Sequence, residues 1–182
     1  MKTRDRILDV SLQLFNQHGE RNVTTNHIAS ELGISPGNLY YHFRNKGDIV
    51  YELFYRYGDQ VIDTLTIPED RPITWQDKIN IHETMLHILW HSRFLHRDLE
   101  YLLVQDDRLS AFYNRFSSRT LRNAMDVHRK LAEAGLIEAT EEQMRGITLN
   151  IWVIATSWIS FLHSTAIHAG YRGAITEGMI RR

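Results

Sequence analysis

The residues with the most distinctive chemistry in this chain lie close together, in the stretch PGNLYYHF from Pro36 to Phe43. Leu39 and Phe43 are four residues apart, so on a helix they share one face and pack inward. The residues around them then point outward and offer amide, hydroxyl and imidazole groups, two aromatic rings and no carboxylate: Gly37, Asn38, Tyr40, Tyr41 and His42. Such groups suit the groove of a polyanion better than a protein core, because nothing among them repels phosphate.

Capping signals divide the surrounding sequence into two short helices. Thr24 can cap a first helix that runs to Leu32, and Gly33 can supply the left-handed conformation that ends it. Ser35 can cap the next helix, with Pro36 at the first position, where the missing N–H would have no intrahelical partner. Two short helices joined by a tight glycine turn form the helix-turn-helix pattern.

Longer helices are expected on both sides of this pair. Apolar residues recur at helical spacing from Thr3 to His18, and Gly19 can end that helix, which would bury the back of the motif. After the motif, Asn45 with Asp48 three residues on predicts a capping box. The helix that starts there is expected to continue to about Leu65.

The order TTxxIAxxLGxSxGxLYxHFxxK, which begins at Thr24, resembles the N-terminal domain of tetracycline-repressor type (TetR) regulators. The resemblance covers roughly the first third of the chain. It implies an all-helical protein, with a three-helix, homeodomain-like helix-turn-helix domain over residues 1–48. A larger helical ligand-binding and dimerisation domain would follow over residues 49–182. The DNA-contacting residues that the resemblance implies are Thr25, Asn26, Ser35, Gly37, Asn38, Tyr40, Tyr41, His42 and Lys46.

Two kinds of contact are assigned within this set by the same resemblance. Contacts to phosphate, which fix the register of a protein on the duplex, are assigned to Thr25, Tyr40, His42 and Lys46. Contacts to base edges or to a thymine methyl, which read the sequence, are assigned to Gly37, Asn38 and Tyr41.

The charge balance indicates how such a protein would have to bind. The chain has 21 basic and 22 acidic residues, which excludes a nonspecific polycation. Through Lys46 six cations stand against four carboxylates, a net charge of +2, and Arg4 and Arg6 are further candidates for phosphate contact. We call the N-terminal DNA-binding domain the head. So few cations in each head predict that useful affinity needs the heads of two chains on one duplex, and therefore a homodimer.

Several other classes of site are not predicted. The chain has no cysteine, which removes disulfides and thiolate metal sites. His87 and His91 share one helical face, but no third ligand follows at a fixed spacing, so neither a metal nor another cofactor is expected. The N-terminal segment MKTRDRILDVSLQLF is amphipathic and unlike a secretory signal, which predicts a cytoplasmic protein.

The rest of the chain shows helical periodicity, without convincing strand alternation or internal repeats. Further helices are predicted over residues 75–92, 94–104, 109–134 and 141–169. Thr140 with Gln143 predicts another capping box, and Gly135 another helix end.

Many aromatic residues occur in this body. Ordinary core packing is one interpretation of them, since bundles bury aromatic stripes at helical spacing. The resemblance supports another, a pocket for an unknown small-molecule effector between body helices, which bulky rings would line. The candidate lining residues are Trp90, Phe94, Tyr101, Phe112, Phe116 and Trp152.

Residues 147–169 carry no formal charge, a run long enough in principle to cross a bilayer. The Ser, Thr, Asn and His side chains within it argue against a membrane partner. An apolar stripe is expected instead to pack partly inside the body and partly on a twin subunit, through Ile151, Ile154, Trp158, Phe161 and Leu162. The resemblance implies a dimer formed by the last two helices. Residues 170–182 are short for a full last helix, so either the chain is truncated or its interface departs from that pattern.

An enzyme is not predicted. Gly33–Gly37 fits the GxSxG string of serine hydrolases, but a nucleophile elbow needs a strand before Ser35, and the preceding segment is helical. The predicted function is a bacterial, ligand-responsive, dimeric transcriptional regulator, most simply a repressor that a small molecule releases from a palindromic double-stranded DNA operator. The alternative is a helical dimeric protein-interaction module without sequence-specific DNA binding.

Overall fold

The computed structural model describes residues 2–67 and 69–164, with the exception of the His163 side chain. These ranges form α-helices joined by short connections, together with one 3-10 turn at Glu20–Asn22, and contain no strand. The predicted all-helical fold class is therefore confirmed. The helices are α1 Thr3–His18, α2 Thr25–Leu32, α3 Pro36–His42, α4 Lys46–Thr64, α5 Trp75–His91, α6 Arg93–Arg97, α7 Leu99–Gln105, α8 Asp107–Glu133 and α9 Glu141–Ser164.

The caps around α2 and α3 form as their sequence predicts. The Thr24 hydroxyl accepts the His27 backbone N–H at 3.2 Å, and the Ser35 hydroxyl accepts the Asn38 N–H at 3.2 Å. Gly33 ends α2 with φ of 66°, a left-handed conformation that a Cβ would strain. Local hydrogen bonds therefore fix both ends of the turn between the two helices.

The other predicted capping boxes differ in completeness. Thr140 and Gln143 satisfy each other's backbone N–H groups at 2.8 and 3.3 Å, so this box is confirmed. At α4 the Asn45 side chain accepts the Asp48 N–H at 2.9 Å. The Asp48 carboxylate, however, accepts from Arg108 at 3.0 Å, so it is used for a tertiary contact.

The predicted helix over residues 94–104 is wrong in one respect, because two short helices occupy that stretch. Asp98 separates α6 from α7, with φ of −108° and ψ of 12°, outside the helical region. At the start of α8 the Asp106 side chain accepts the Arg108 N–H at 2.9 Å. The expectations for residues 165–182, including the end of the last helix, lie outside the described residues.

The chain divides into two compact units. The first unit combines the chain up to Gly58 with Ser92–Tyr113. The Phe15 ring packs against Phe94 with centroids 5.2 Å apart, and Arg97 donates to the Phe15 carbonyl at 2.8 Å. The helix-turn-helix thus shares its core with α6. The domain division predicted after Asp48 stays a prediction, since the compact unit is a larger assembly of packed residues.

The second unit comprises Asp59–His91 and the chain from Asn114 onward. Its buried residues are mainly aliphatic, and they include Val61, Ile62, Leu89, Val127, Leu131, Met144, Ile159 and Leu162. His128 and Thr148 are polar residues buried within the same unit. None of the helices described has the length and apolarity needed to span a bilayer.

Candidate nucleic-acid interface

Helix α3 has one buried face and one exposed face. Leu39 is 0% exposed, whereas Tyr41 on the opposite face is 85% exposed and Tyr40 is 48% exposed. We call the outward set the recognition edge, which consists of Gly37, Asn38, Tyr40, Tyr41 and His42. All of it is exposed except His42, which is half-buried. The edge thus has the accessibility that a groove contact requires, and neither the Tyr40 ring nor the Tyr41 ring belongs to the core.

Hydrogen bonding orders part of this surface before any partner binds. The Tyr40 hydroxyl lies 2.9 Å from the Thr25 hydroxyl, which joins α3 to the first turn of α2. The Tyr41 ring meets the His42 ring edge-on, with centroids 5.1 Å apart. Asn26 follows Thr25 on α2 and is exposed. A hydroxyl can donate once and accept twice, so the Tyr40 and Thr25 pair keeps capacity for a phosphate oxygen.

Lys46 is held inside the protein. Its ammonium donates to the carbonyl oxygens of Glu20 and Val23, each at 2.9 Å, and pairs with the Glu20 carboxylate at 2.9 Å. An ammonium has three protons, and all three are used in this arrangement. Glu20 is only 5% exposed, so Lys46 neutralises a buried charge and fastens the 3-10 turn to α4. The phosphate contact that the resemblance implies for Lys46 stays a prediction.

The other cations of the head differ in how they are held. Arg4 pairs with Glu52 at 2.9 Å and lies 4.9 Å from the centroid of the Phe43 ring. Its hydrogen bond holds the pKa of the Glu52 carboxyl below the usual value. Among the described residues up to Lys46, the exposed cations with neither an ion pair nor an aromatic ring beneath them are Lys2, Arg6 and Arg44.

Arg44 is a candidate that the sequence analysis missed. It directly follows Phe43, the C-cap residue of α3, and it is exposed. The signal for it was available, since Arg44 is the basic residue between the recognition edge and Lys46 in HFRNK. Its position at the end of α3 makes it a better candidate for phosphate contact than Arg4.

Three of the predicted pocket residues lie in the first unit. Phe94 is fully buried in the core. The Arg21 guanidinium lies over the Tyr101 ring, 3.8 Å from its centroid. Phe112 meets the Phe54 ring edge-on, with centroids 5.7 Å apart. Each ring therefore has a packing partner in that unit.

The remaining three pocket candidates belong to the second unit. The Phe116 and Trp152 rings lie 6.2 Å apart and pack against each other. Of the three, Trp90 alone lines the apolar cavity of this unit, which has a volume of about 340 Å³. The walls of that cavity are Leu86, Leu89, Trp90, Ile154, Ala155, Trp158 and Ile159. Phe116 and Trp152 do not line this cavity, and the shared pocket of the six rings stays a prediction.

The predicted dimer-contact residues are not all on the surface of α9. Ile151, Ile154 and Phe161 are exposed, and the Trp158 ring stacks on Phe161 with centroids 5.6 Å apart. Leu162 is only 8% exposed and packs inside the chain. The apolar stripe is therefore present, with Leu162 on its inner side.

The described residues contain no cluster of three or more potential ligands that could hold a metal ion. The hydrolase alternative also finds no support in the geometry of Ser35. Its hydroxyl caps α3, and the segment before it is α2, where a nucleophile elbow would need a strand.

A capped helix-turn-helix with an exposed recognition edge is characteristic of DNA-binding regulators. Known families agree with this class. The family described as "Bacterial regulatory proteins, tetR family" matches residues 7–53, and the TetR model described as "Bacterial transcriptional repressor" matches residues 56–182. The chain therefore belongs to the TetR family of bacterial transcriptional regulators, and the resemblance found in the sequence is confirmed.

Individual relatives support the same assignment. The crystal structure of a TetR-family transcriptional regulator from Marinobacter aquaeolei VT8 is 52% identical, with a TM-score of 0.86, and covers 92% of this chain and 83% of that chain. An HTH-type transcriptional regulator of Staphylococcus aureus (strain USA300) is 42% identical over 55 residues, which span 30% of this chain and 30% of that protein. The SmeT–triclosan complex is 17% identical, with a TM-score of 0.61, and covers 97% of this chain and 88% of that chain. This last similarity concerns the fold alone.

Proposed function

We propose that this TetR-family regulator is a homodimeric repressor whose two recognition edges enter successive major grooves of a palindromic operator. The observation that carries the proposal is the division of α3, which buries Leu39 and leaves Tyr41 85% exposed. A helix with an apolar inner face and a hydrogen-bonding outer face without carboxylates suits the major groove. Because its partner is chromosomal DNA, we place its action in the bacterial cytoplasm.

The proposed contacts follow from exposure and hydrogen-bonding capacity. Gly37, Asn38 and Tyr41 lie on the exposed face of α3 and are assigned to base edges or a thymine methyl. Backbone phosphates are assigned to groups around this face, with Arg44 in the place first given to Lys46, whose protons are used internally. The phosphate-contacting set is then Thr25, Asn26, Ser35, Tyr40, His42 and Arg44.

Selection of bound DNA from a random pool tests the proposal directly. We expect an inverted repeat whose half-site centres are separated by one helical turn or a multiple of it. A matched pool selected with Tyr41→Ala should lose preference at one or two positions of each half-site. If the full chain enriches no sequence even at low salt, the alternative of a protein-interaction module is favoured.

The dimer is proposed from the exposed apolar surface of α9. Ile154 is 64% exposed, and Phe161, seven residues further along the same face, is 43% exposed. Contiguous apolar exposure of this kind marks an interaction surface. The low positive charge of each head supports the same conclusion, because two heads would double the number of phosphates neutralised.

Two variants of α9 distinguish a role of the exposed apolar face in dimerisation from the effect of adding a charge anywhere on the helix surface. Ile154→Glu places a charge in the proposed interface and is expected to shift the protein to monomer in sedimentation velocity, with weaker operator binding. Val153 is 50% exposed and points to another side of α9, so Val153→Glu is the matched control and should remain dimeric. A dimeric Ile154→Glu would contradict the assignment of this face.

Ligand response is proposed from the apolar cavity in the second unit. Its volume of about 340 Å³ lies in the range of small-molecule sites, and both of its walls are apolar. The structural neighbour SmeT is known as a complex with triclosan, a small molecule. In one conformation of the dimer the two heads would have the wrong spacing for the operator. An effector that binds this conformation more tightly than the DNA-binding one would lower operator affinity by the difference between its two binding free energies.

A further inference from the structure

The second unit contains a half-buried lysine whose charge no carboxylate balances. Lys78 on α5 has its ammonium 3.2 Å from Nε2 of His128 on α8. Among the described residues, no carboxylate lies within ion-pair distance of this ammonium. Burial lowers the pKa of the Lys78 amine, since no neighbouring charge offsets the loss of hydration.

The partners of His128 show how many protons Lys78 has left to donate. The Thr148 hydroxyl donates to the Met144 carbonyl at 2.8 Å, so it accepts from Nδ1 of His128 at 2.9 Å. Burial lowers the pKa of His128 to about 4, and the neutral ring therefore presents the lone pair of Nε2 to Lys78. One ammonium proton is used there, and two remain for an acceptor from outside the described residues.

Helix α5 carries this lysine and one wall of the apolar cavity on the same face. Lys78, His82, Leu86 and Leu89 follow one another at intervals of four, four and three residues, which keeps them on one side of a helix. Leu86 and Leu89 line the cavity. At 1.5 Å per residue, the eight residues from Lys78 to Leu86 correspond to about 12 Å along the axis.

Helix α9 repeats the arrangement. Thr148, Trp152, Ala155 and Ile159 follow at intervals of four, three and four residues, and so they also share a face. Thr148 belongs to the polar cluster, whereas Ala155 and Ile159 line the cavity. We call the region between these faces of α5 and α9 the seam. One end of the seam is polar and carries a cation, and the other end is the apolar cavity.

We propose that this seam binds a straight-chain carboxylate, with its alkyl tail in the apolar cavity and its carboxylate hydrogen-bonded to Lys78. The class of ligand follows from the two ends, because the cavity walls favour alkyl groups and the lysine favours an anion. An extended covalent chain needs roughly ten bonds to span the distance of about 12 Å between Lys78 and Leu86. The inference rests on the proposed function, since it names the chemical class of the effector.

The test uses the full chain and three probes with the same tail: dodecanoate, dodecanol and dodecylammonium, each below its aggregation concentration. Binding is followed by the fluorescence of Trp90 and Trp158, which line the cavity, and by calorimetry. We expect dodecanoate to bind at least tenfold more tightly than dodecanol, and dodecylammonium to bind more weakly than either. Equal affinities for the three probes would overturn the assignment of Lys78.

Variants separate the two ends of the site. Lys78→Met should weaken dodecanoate binding at least tenfold and leave dodecanol unchanged, with Lys78→Gln as a second variant if the first fails to fold. Ala155→Phe should fill the cavity and weaken both probes. Arg122 is an exposed cation on α8 of the same unit, so Arg122→Met is the matched control and should change neither probe. Ile154 and Trp158 belong both to the cavity and to the proposed dimer face, so the probes are measured on the full chain at a concentration where it is dimeric. Failure of all three probes to bind would show that a second copy fills the cavity, and this result would overturn the proposal.

Operator binding measured on the same samples separates this inference from the proposed function. If dodecanoate binds with the expected dependence on Lys78 but operator affinity is unchanged, the site stands and the effector role fails. If another small molecule releases the operator while dodecanoate does not bind, the effector role stands and the ligand class proposed here is wrong.

Discussion

The two compact units place polar and apolar groups in opposite ways. In the first unit α3 buries Leu39 and exposes the recognition edge, whereas in the second unit α9 exposes Ile154 and the unit buries His128 and Thr148. An exposed set of amide, hydroxyl and aromatic groups suits a hydrated, charged partner such as DNA. An exposed apolar stripe suits another apolar surface. The chain therefore places hydrogen-bonding groups on the surface of one unit and apolar groups on the surface of the other, each above its own core.

The largest expected effect comes from the two faces of α3. Leu39→Ala removes a side chain with 0% exposure and should lower the free energy of unfolding by about 2–5 kcal/mol, because a cavity remains. Tyr41→Ala, on the exposed face, should change it by less than about 0.5 kcal/mol. Urea denaturation followed by circular dichroism measures both. A strongly destabilised Tyr41→Ala would mean that the ring packs in the folded protein, against its proposed role.

The next effect compares a buried histidine in each unit. Burial lowers the pKa of His96 in the first unit and of His128 in the second to about 4, below the ordinary value of 6.5. The unfolded chain therefore binds more protons than the folded one below pH 6.5. Stability should be complete above that pH and fall toward pH 4, with a slope of up to about 1.4 kcal/mol per pH unit for each histidine.

Thermal unfolding from pH 7 to pH 4.5 measures this slope. His96→Asn and His128→Asn should each flatten it, apart from any constant loss of stability at pH 7. Retention of the full slope in both variants would show that other groups control the acid sensitivity.

A third prediction separates a structural cation from a DNA-contacting cation in the same head. Lys46→Met leaves the Glu20 carboxylate buried without its partner and should cost about 1–3 kcal/mol of stability, with no change in the salt dependence of operator binding. Arg44→Met should leave stability unchanged and reduce the slope of log K against log salt by about 0.9 for each phosphate that is no longer neutralised. If Lys46→Met flattens the salt slope instead, then Lys46 exchanges its internal acceptors for a phosphate.

The smallest expected effects distinguish residues within the recognition edge. Asn38→Ala should reduce discrimination at one base position by about 1–3 kcal/mol. Tyr40→Phe, which removes the hydroxyl paired with Thr25, should weaken all sequences about equally. Affinities for a panel of single-base operator variants measure both. A sequence-dependent effect of Tyr40→Phe would move that residue from phosphate contact to base readout.

Local features of the fold could be predicted well from the sequence, and long-range packing could not. The caps at Thr24, Ser35 and Thr140 join groups three residues apart, so residue type and spacing are sufficient to predict them. The placement of Phe94 depends on Phe15, 79 positions earlier, and no local pattern predicts that contact. Core packing was one of two interpretations that aromatic periodicity left open for Phe94, and the periodicity did not show which core would bury it.

The amino-acid sequence alone determined the family, the all-helical fold class and the outward set of residues on α3, because helix periodicity and capping act over a few residues. Only the tertiary structure decided that Lys46 uses its protons on Glu20 and Val23, that Trp90 lines an apolar cavity, and that Lys78 meets His128. These contacts join residues 20 or more positions apart or depend on which helices pack together. Their free energies come from burial and hydrogen bonding, which exist only once the chain has folded.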